Sequence, residues 1–336
     1  MMTRRILNGF GSVALAAALG IAAPAAAQES AAAYPSRAVK MIVPFGPGGA
    51  PDVIARTAAL RLNETLGQQF VIDNRPSAGG VIAAEMVAKS APDGYTLLMG
   101  DPGTMIVTPA IRAKLPYDPV KDFTLVRMVG TGVFYLGVPA SLGVSNFGEL
   151  AALIKSKPGQ LNYGSSGIGS IHHLAMEMLN AQAGLKMVHV PYKGAGQSVP
   201  ALVAGELAVL LAGLPAIAPH AKAGSVKILA VAAPKRAAQA PDVPTLGELG
   251  LPGLEVPSDI GIFVPAGTPA AVVSKLAGEL GKAVHHPDTV RKFMALGLEP
   301  FLDEPVGETS AARAAWFKSE IEKYAKVARA AGLKID

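Results

Sequence analysis

Met41-Ile-Val-Pro-Phe-Gly-Pro-Gly-Gly-Ala-Pro-Asp52 is the stretch that decides the fold, because an apolar run, a glycine-rich turn and the start of a helix follow one another in it. Glycine allows backbone conformations that other residues avoid. The helix after the turn offers unpaired N–H groups and the positive end of its dipole. The stretch therefore predicts either an anion-binding loop or a tight strand-to-helix turn without a ligand.

A second loop, Tyr163-Gly-Ser-Ser-Gly-Ile-Gly-Ser170, repeats this design of apolar run, glycines and helix start. Ser170 is placed to accept a hydrogen bond from the first turn of that helix as its N-cap. Two such loops that face each other would leave many N–H donors unpaired unless water or a ligand accepts from them. The pair favours an anion-binding cleft between two domains, and a capped turn without a ligand remains the alternative.

Short apolar runs alternate with helical stretches, which is typical of an α/β protein whose parallel sheets are covered by helices. Helices are predicted over 51–66, 81–90, 147–156, 171–182 and 198–204, and strands over 40–44, 69–74, 96–100, 187–191 and 226–231. Loops 45–51, 75–80 and 100–104 follow strands, at the edge where open α/β sheets bind ligands. We therefore expect the binding residues in these loops.

The apolar segment 123–138 is interpreted as a crossover between two α/β domains, because a second strand and helix pattern begins after it. A last apolar run at 259–264 is followed by three helical stretches that most simply return to the first domain. The predicted domains are therefore 34–135 plus 258–336, with 136–257 between them.

The first 27 residues predict an export signal cleaved after Ala27, since Arg4 and Arg5 precede an apolar segment and three alanines. A membrane span is disfavoured because the apolar segment is shorter than the roughly 20 residues that a span needs. Cleavage leaves 28 basic and 25 acidic residues, a formal charge of +3 that is too small to indicate nucleic-acid binding. The chain has no cysteine, which excludes disulfides. We expect a soluble periplasmic protein.

The glycine-rich loops match no common enzyme signature, since neither has a P-loop ending and their serines do not stand in G-x-S-x-G. Adjacent His172 and His173 point in different directions on a helix and do not form the i, i+4 pair of a zinc site. We expect His173 to face the cleft and His172 to be a surface or capping residue. A secreted α/β hydrolase that uses Ser165 or Ser166 with His173 as base stays open.

A loop further along, Val190-Pro-Tyr-Lys-Gly-Ala-Gly196, closes a strand of the second half. Tyr192 could give the cleft a flat apolar wall, and Lys193 could bring a charge near a bound carboxylate. The alternatives are a core tyrosine and a solvated loop lysine, which for lysine is the commoner case.

Further motifs run in order through the mature chain: Tyr34-Pro-Ser-Arg37, Val43-Pro-Phe-Gly-Pro-Gly-Gly49, Asn74-Arg-Pro76, Pro92-Asp-Gly-Tyr-Thr96, Tyr163 to Ser170 and Pro265-Ala-Gly-Thr-Pro269. Together they resemble the periplasmic receptors of tripartite tricarboxylate transporters, the Bug-type receptors. The resemblance implies a two-domain, type II periplasmic-binding-protein fold that closes on a small carboxylate. It also implies a monomer that passes the carboxylate to membrane transporter subunits, without catalysis, cofactor or metal.

In the family that the chain resembles, loop amides, hydroxyls and ordered water hold the carboxylate, with little help from arginine. Carried over to this sequence, the resemblance implies ligand contacts at Phe45, Gly48, Gly49, Asp52, Asp101, Thr104, Ser165, Ser166, Gly167, Gly169, Ser170, His173, Tyr192, Lys193, Gly194 and Asp259.

Some positions depart from the family pattern. Ala50 and Pro51 stand where small hydroxylated residues are usual, and proline lacks an N–H. Asp101 replaces a small hydroxyl residue, and Asp259 replaces an aromatic one. If both aspartates face the cleft, we expect the far end of the ligand to carry an amine, amide or hydroxyl, since an unpaired buried carboxylate is costly. The alternative is that one or both aspartates turn to solvent or cap a neighbouring turn, as Asp101 before Pro102 could do. A sensor subunit that presents its ligand to a signalling partner is a third hypothesis.

Overall fold

The computed structural model describes residues 33–256, 258–302 and 310–333, so the predicted export signal lies outside the described residues. The helices are α1 (Ala50–Leu66), α2 (Val81–Ala88), α3 (Thr108–Ile111), α4 (Phe147–Ser156), α5 (Ile171–Ala183), α6 (Ala195–Val203), α7 (Leu214–Lys222), α8 (Ala270–His285), α9 (Pro287–Ala295) and α10 (Ser310–Ala330). The strands are β1 (Val39–Val43), β2 (Phe70–Asn74), β3 (Thr96–Gly100), β4 (Phe123–Gly132), β5 (Phe134–Pro139), β6 (Asn162–Ser165), β7 (Val188–Pro191), β8 (Val209–Gly213), β9 (Val226–Val231), β10 (Ile260–Pro265) and β11 (Leu298–Pro300).

The first sheet has six strands in the order β11-β4-β10-β3-β1-β2. Strands β1, β2 and β3 run parallel, so the loops that follow them leave the same edge. Strand β10 returns antiparallel between β3 and β4, which brings the late part of the chain back into the first sheet. Residues from both early and late parts of the chain therefore build the first sheet.

The second sheet has five strands in the order β7-β6-β8-β5-β9. Strands β6, β7 and β8 are parallel, and β5 runs antiparallel to β8 and β9. The glycine-rich loop after β6 therefore leaves the edge that also carries the ends of β7 and β8. Thr131 and Gly132 end β4 of the first sheet, and Phe134 begins β5 of the second, so the chain passes between sheets within two residues.

Both faces of the first sheet are covered because successive side chains of a strand point to opposite sides. Met41 of β1 packs in one buried cluster with Ile54 of α1 and Leu276 of α8. Ile42, its neighbour, packs in another cluster on the opposite face with Val87 of α2. Hydrophobic burial on both faces fixes the carboxyl ends of the strands, and with them the loops of the site.

Two of the regions that differ from the sequence prediction lie near the loops at the ends of the strands. Strand β8 and helix α7 are absent from the sequence prediction. Leu207 to Ala218 is an almost continuous apolar run, so it shows neither the alternation of a half-buried strand nor the one-sided pattern of an amphipathic helix. Residues 100–104 were predicted as a loop, but a π-helical turn (Gly103–Val107) continues directly into α3. This helical segment places Asp101 at a helix start rather than in an open loop.

The C-terminal helix α10 touches the cores of both halves. Phe317 is buried in a cluster on the first sheet. Ala328 is buried in the main cluster of the second half, and Tyr324 and Val327 pack against that cluster. The expectation that all three final helices return to the first domain is therefore incomplete for α10. Among the described residues, none of the helices combines the length and apolarity needed to cross a membrane.

Candidate functional site

A cleft lies between the loops of the two sheets. It is lined by Phe45, Gly46, Gly49, Ala50, Pro51, Asp101, Phe134, Ser165, Ser166, His172, Gly194, Ala195, Ser198, Leu210, Leu211, Ala212, Gly213 and Ser258. The lining combines the first glycine-rich loop, the second one and the end of β8. The sequence prediction of a cleft between the two loops therefore agrees with the structure.

The second glycine-rich loop presents a hydrogen-bonded pair to the cleft. The Ser166 hydroxyl lies 2.7 Å from His172 Nδ1, and both residues line the cleft. Helix α5 starts directly behind this pair, with Ser170 as its N-cap, because the Ser170 hydroxyl accepts from the His173 N–H. The N-cap predicted from the sequence is confirmed.

A second serine and histidine pair stands beside the first. The Ser165 hydroxyl lies 2.6 Å from His189 Nε2 and also accepts from the Gly167 N–H at 3.0 Å. The His189 ring stacks on the His173 ring at a centroid distance of 3.9 Å. His173 Nδ1 accepts from the Gly169 N–H at 3.3 Å. His173 therefore supports the loop from behind instead of lining the cleft.

Burial lowers the pKa of all three histidines to about 4. The cause is the cost of placing a charged imidazole away from water, and for His189 the neighbouring His173 adds to it. The histidines are therefore neutral at neutral pH. The electrostatics of the second loop come from dipoles and hydrogen-bond donors, not from imidazolium charge.

The first glycine-rich loop is organised around Asp52. Its buried carboxylate accepts from the Gly48 N–H at 3.1 Å, Arg56 Nε at 3.0 Å and Asn74 Nδ2 at 3.0 Å. Burial alone would raise the pKa of Asp52, but these hydrogen bonds and the Arg56 charge hold it below its usual value. An ionised side chain of the protein thus takes the place near the start of α1 that an external anion could take.

The two loops touch each other across one side of the cleft. The Gly46 N–H donates to the Lys193 carbonyl oxygen at 2.9 Å. Gly194 has a φ of 131°, and a Cβ there would lie 3.1 Å from the Gly46 nitrogen. A Cβ on Gly196 would lie 2.7 Å from the Pro47 carbonyl oxygen. Glycine is required at these positions because two backbones approach closely.

Asp101 is buried and lines the cleft, but its carboxylate already has partners. Oδ2 accepts from the Gly103 N–H at 3.1 Å, and Oδ1 accepts from the Thr104 N–H at 3.0 Å. Burial raises the pKa of Asp101, and the hydrogen bonds from Thr104 and Gly103 oppose that rise. The carboxylate caps the helical turn after β3, so it does not need a donor from the ligand.

Asp259 lies elsewhere, which corrects the expectation that it faces the cleft. It lines a second cavity beneath α10, together with Trp316, Glu320 and Tyr324. Its carboxylate accepts from the Thr131 hydroxyl at 2.5 Å. Burial raises the pKa of Asp259, and the nearby Glu320 raises it further. Neither Asp101 nor Asp259 therefore supports the prediction that the far end of the ligand carries a hydrogen-bond donor.

The structure brings only part of the predicted set to the cleft. Phe45, Gly49, Asp101, Ser165, Ser166 and Gly194 line it. Gly48, Asp52, Thr104, Gly167, Gly169, Ser170, His173, Tyr192, Lys193 and Asp259 do not belong to that lining. Several of these shape the loops, as described above; the Lys193 side chain is exposed, and Tyr192 packs partly buried against the core of the second half.

Sequence reasoning missed His172, Phe134, Ser258 and the end of β8. His172 was expected at the surface, but α5 is rotated so that this residue, not His173, faces the cleft. No local signal in the sequence indicated this contact, because Ser166 and His172 lie six residues apart and the side of α5 that faces the cleft is set by packing. The β8 contribution could not be predicted while that strand was unrecognised.

The serine and histidine contacts do not match the predicted hydrolase arrangement. Ser165 contacts His189 and Ser166 contacts His172, whereas His173 is hydrogen-bonded to the Gly169 main chain. In the part of the chain that the structure describes, no group of three or more histidine, cysteine or acidic side chains is arranged to hold a metal ion.

The family model described as "Tripartite tricarboxylate transporter family receptor" matches residues 54–326 of the chain. The chain belongs to this receptor family. The protein BugT of Bordetella pertussis is 34% identical over 320 residues, which cover 95% of this receptor and 95% of BugT. The resemblance found in the sequence motifs is therefore confirmed.

Solved structures of related proteins agree with the receptor in fold. A structure titled "R. palustris Rpa4515 with adipate" is 35% identical and has a TM-score of 0.83, covering 90% of this chain and 99% of that chain. MatC of Rhodopseudomonas palustris, solved with bound malate, is 33% identical with a TM-score of 0.81, covering 88% and 99%. The receptor has the two-domain α/β fold of these periplasmic binding proteins.

Proposed function

We propose that this receptor captures a small organic carboxylate in the cleft and delivers it to the membrane subunits of a tripartite tricarboxylate transporter. The observation that carries the proposal is the Ser166 and His172 pair, which faces the cleft at the start of α5. Family members solved with adipate and malate support the class of ligand.

The Ser166 and His172 pair has one polar hydrogen that their mutual hydrogen bond does not use. A neutral imidazole carries one N–H and the serine carries one O–H, and the contact between them uses one of the two. If Nδ1 donates to Ser166, the serine O–H remains free; if Ser166 donates to Nδ1, the Nε2–H remains free. A carboxylate oxygen accepts either hydrogen, and the dipole of α5 favours the negative charge.

The proposal also covers how the domains move and whether the receptor acts as a single chain. We infer that 34–135 with 258–336, and 136–257, behave as two domains that close on the ligand, since the first sheet takes its strands from residues 39–132 and 260–300 and the second takes its strands from residues 134–231. The contact between Gly46 and Lys193 then belongs to the closed state. We also propose that the receptor acts as a monomer.

We propose further that residues 1–27 direct export to the periplasm, in agreement with the periplasmic binding proteins that share the fold. Intact-mass analysis of the protein recovered from the periplasm should give a chain that begins at Gln28. A soluble protein that retains Met1 would contradict this part of the proposal.

The receptor is proposed to have no catalytic role. The hydrolase alternative predicts turnover of small esters that disappears in Ser166→Ala, since Ser166 is the serine that pairs with a histidine in the cleft. We expect saturable binding of carboxylates without turnover of p-nitrophenyl esters. Ester turnover that depends on Ser166 would replace the receptor proposal by the hydrolase.

The central test is a thermal-shift screen of the mature protein with mono- and dicarboxylates, amino acids and aromatic acids. A ligand at 100 times its dissociation constant stabilises the native state by about 2.7 kcal/mol. We expect at least one carboxylate to raise the melting temperature and to bind saturably in calorimetry. If no carboxylate does either, the proposed function is wrong.

A further inference from the structure

The cleft is chemically asymmetric. The second loop offers hydroxyl and imidazole groups, namely Ser165, Ser166 and His172. The walls contributed by the start of α1 and the end of β8 are apolar, with Ala50 and Pro51 on one side and Leu210 to Ala212 on the other. We call the side formed by Ser165, Ser166 and His172 the polar end of the cleft; Asp101, Ser198 and Ser258 are the other polar residues of its lining.

The first loop has few donors left for a second anionic group. The Gly46 N–H is used by the Lys193 carbonyl, and the Gly48 N–H is used by Asp52. Pro47 and Pro51 have no N–H at all. Four main-chain nitrogens in the segment 45–51 therefore cannot bind a ligand, although the sequence pattern of this loop resembles that of the second one.

The charge of the residues that line the cleft also disfavours a second anionic group on the ligand. Among the described residues that line the cleft, Asp101 is the one carboxylate, and none is lysine or arginine. With Asp101 ionised, the cleft holds two negative charges when one carboxylate is bound and three when a dicarboxylate is bound. Like charges in a poorly solvated site repel each other strongly, and an unpaired buried carboxylate adds its desolvation cost.

We infer that the ligand is a monocarboxylate with an apolar body, and that dicarboxylates are selected against by the blocked first loop and by Asp101. This inference rests on the proposed carboxylate-binding function and makes it more specific. The carboxylate lies at the polar end, near Ser166 and His172, and the apolar body contacts the walls at Pro51 and β8.

Hexanoate and adipate form a matched pair for the test, because they have the same number of carbon atoms and differ only in that one end is methyl or carboxylate. Isothermal titration of both acids against the mature protein at neutral pH should give tighter binding of hexanoate, by about tenfold or more. Benzoate and terephthalate repeat the comparison with a rigid ring. Equal or tighter binding of the dicarboxylate in the pair that binds overturns the inference.

The test separates this inference from the proposed function. Tighter binding of dicarboxylates leaves the carboxylate receptor intact and removes only the selectivity argument. Failure of every acid in both pairs, while another dicarboxylate binds saturably, also overturns the inference alone. Absence of binding by any carboxylate removes the proposed function and the inference together.

Two variants trace the selectivity to its causes. Pro51→Ser restores an N–H and adds a hydroxyl at the start of α1, and Asp101→Asn removes one negative charge. Each should reduce the ratio of hexanoate to adipate affinity by about threefold or more, because each favours the second carboxylate. Pro287→Ser is the matched control, since Pro287 is an exposed proline in the first turn of α9, outside the cleft lining. An unchanged ratio in both test variants overturns the inference even if hexanoate is preferred.

Discussion

The two glycine-rich loops are alike in sequence and different in what occupies their donors. In the first, an ionised side chain of the protein, Asp52, accepts from the Gly48 N–H. In the second, Ser166 and His172 contact each other and still retain one hydrogen for a ligand. A glycine-rich turn before a helix therefore indicates that anions are favoured there, but the anion can be the protein's own carboxylate.

The difference also assigns separate tasks to the two loops. The first loop is rigidified by Asp52 and presents Phe45, Ala50 and Pro51 to the cleft as an apolar wall. The second loop supplies polar groups to the cleft and is supported from behind by the stacked rings of His173 and His189. Substitutions in the second loop should therefore change affinity most, and substitutions around Asp52 should mainly change stability.

The largest effect is expected for Ser166→Ala. This change removes the partner of His172 and one of the two groups that can donate to the carboxylate. A hydrogen bond to a charged group contributes about 1.5–3 kcal/mol, so the dissociation constant should rise roughly 10- to 100-fold. Calorimetry with the best acid from the screen measures this rise.

Ser198→Ala is the control for Ser166→Ala, because the Ser198 hydroxyl lines the cleft but donates to the Gly194 carbonyl oxygen. It should change the dissociation constant by less than about threefold. Equal effects of the two substitutions would mean that the Ser166 and His172 pair does not hold the ligand.

Alanine substitution at Gly167 in the second loop and at Gly49 in the first loop gives a second comparison of ligand affinity. Gly167 has a φ of 116°, where an L-residue is strained by about 1–3 kcal/mol. Gly49 has a φ of −81°, and a Cβ there meets its nearest neighbour at an ordinary 3.7 Å. Gly167→Ala should weaken binding by about tenfold, whereas Gly49→Ala should leave affinity within about threefold. A larger loss for Gly49→Ala would reverse the roles of the loops.

Much of the fold could be predicted from periodicity and caps. The bounds of α1 and α5 and the N-cap at Ser170 agree with the sequence prediction. These features depend on local signals or on the general rules of α/β topology. Strand β8 was missed because its apolar run continues into α7 without a break in hydrophobicity.

The site was harder to predict because it depends on rotations and on distant partners. Whether His172 or His173 faces the cleft depends on how α5 is rotated by its packing, and adjacent helical residues differ by about 100°. The role of Asp52 depends on Asn74, which lies 22 residues later in the chain. Neither fact can be read from the spacing of residues within one loop.

A smaller effect on binding is expected for Asp52→Asn, which keeps the size of the side chain but removes its charge. The hydrogen bonds from Gly48, Arg56 and Asn74 would lose their ionised acceptor. We expect a loss of about 1 kcal/mol of unfolding free energy and a change in ligand affinity of less than about threefold. Urea unfolding and calorimetry on the same preparation separate the two quantities. A tenfold loss of affinity with unchanged stability would show that Asp52 contacts the ligand.

The smallest effect concerns the pH dependence of stability. Burial lowers the pKa of His172 to about 4 in the folded protein, whereas an unfolded histidine titrates near 6.5. Between these values the unfolded chain binds more protons, so the contribution is fully present above about pH 6.5 and decreases as the pH falls towards 4. From pH 7 to pH 6 one such histidine accounts for a loss of roughly 0.7 kcal/mol.

His172→Gln should therefore remove about that amount from the stability difference between pH 7 and pH 6, measured by urea unfolding at both values. His285→Gln, at the exposed end of α8, is the control for the loss of a histidine and should not change the difference. The first loop responds at more acidic pH, because Asp52 has a lowered pKa and loses its contribution only as the pH falls through that value. If the difference between pH 7 and pH 6 is the same in wild type and His172→Gln, the second loop does not hold His172 neutral, and the contrast between a neutral second loop and a charged first loop fails.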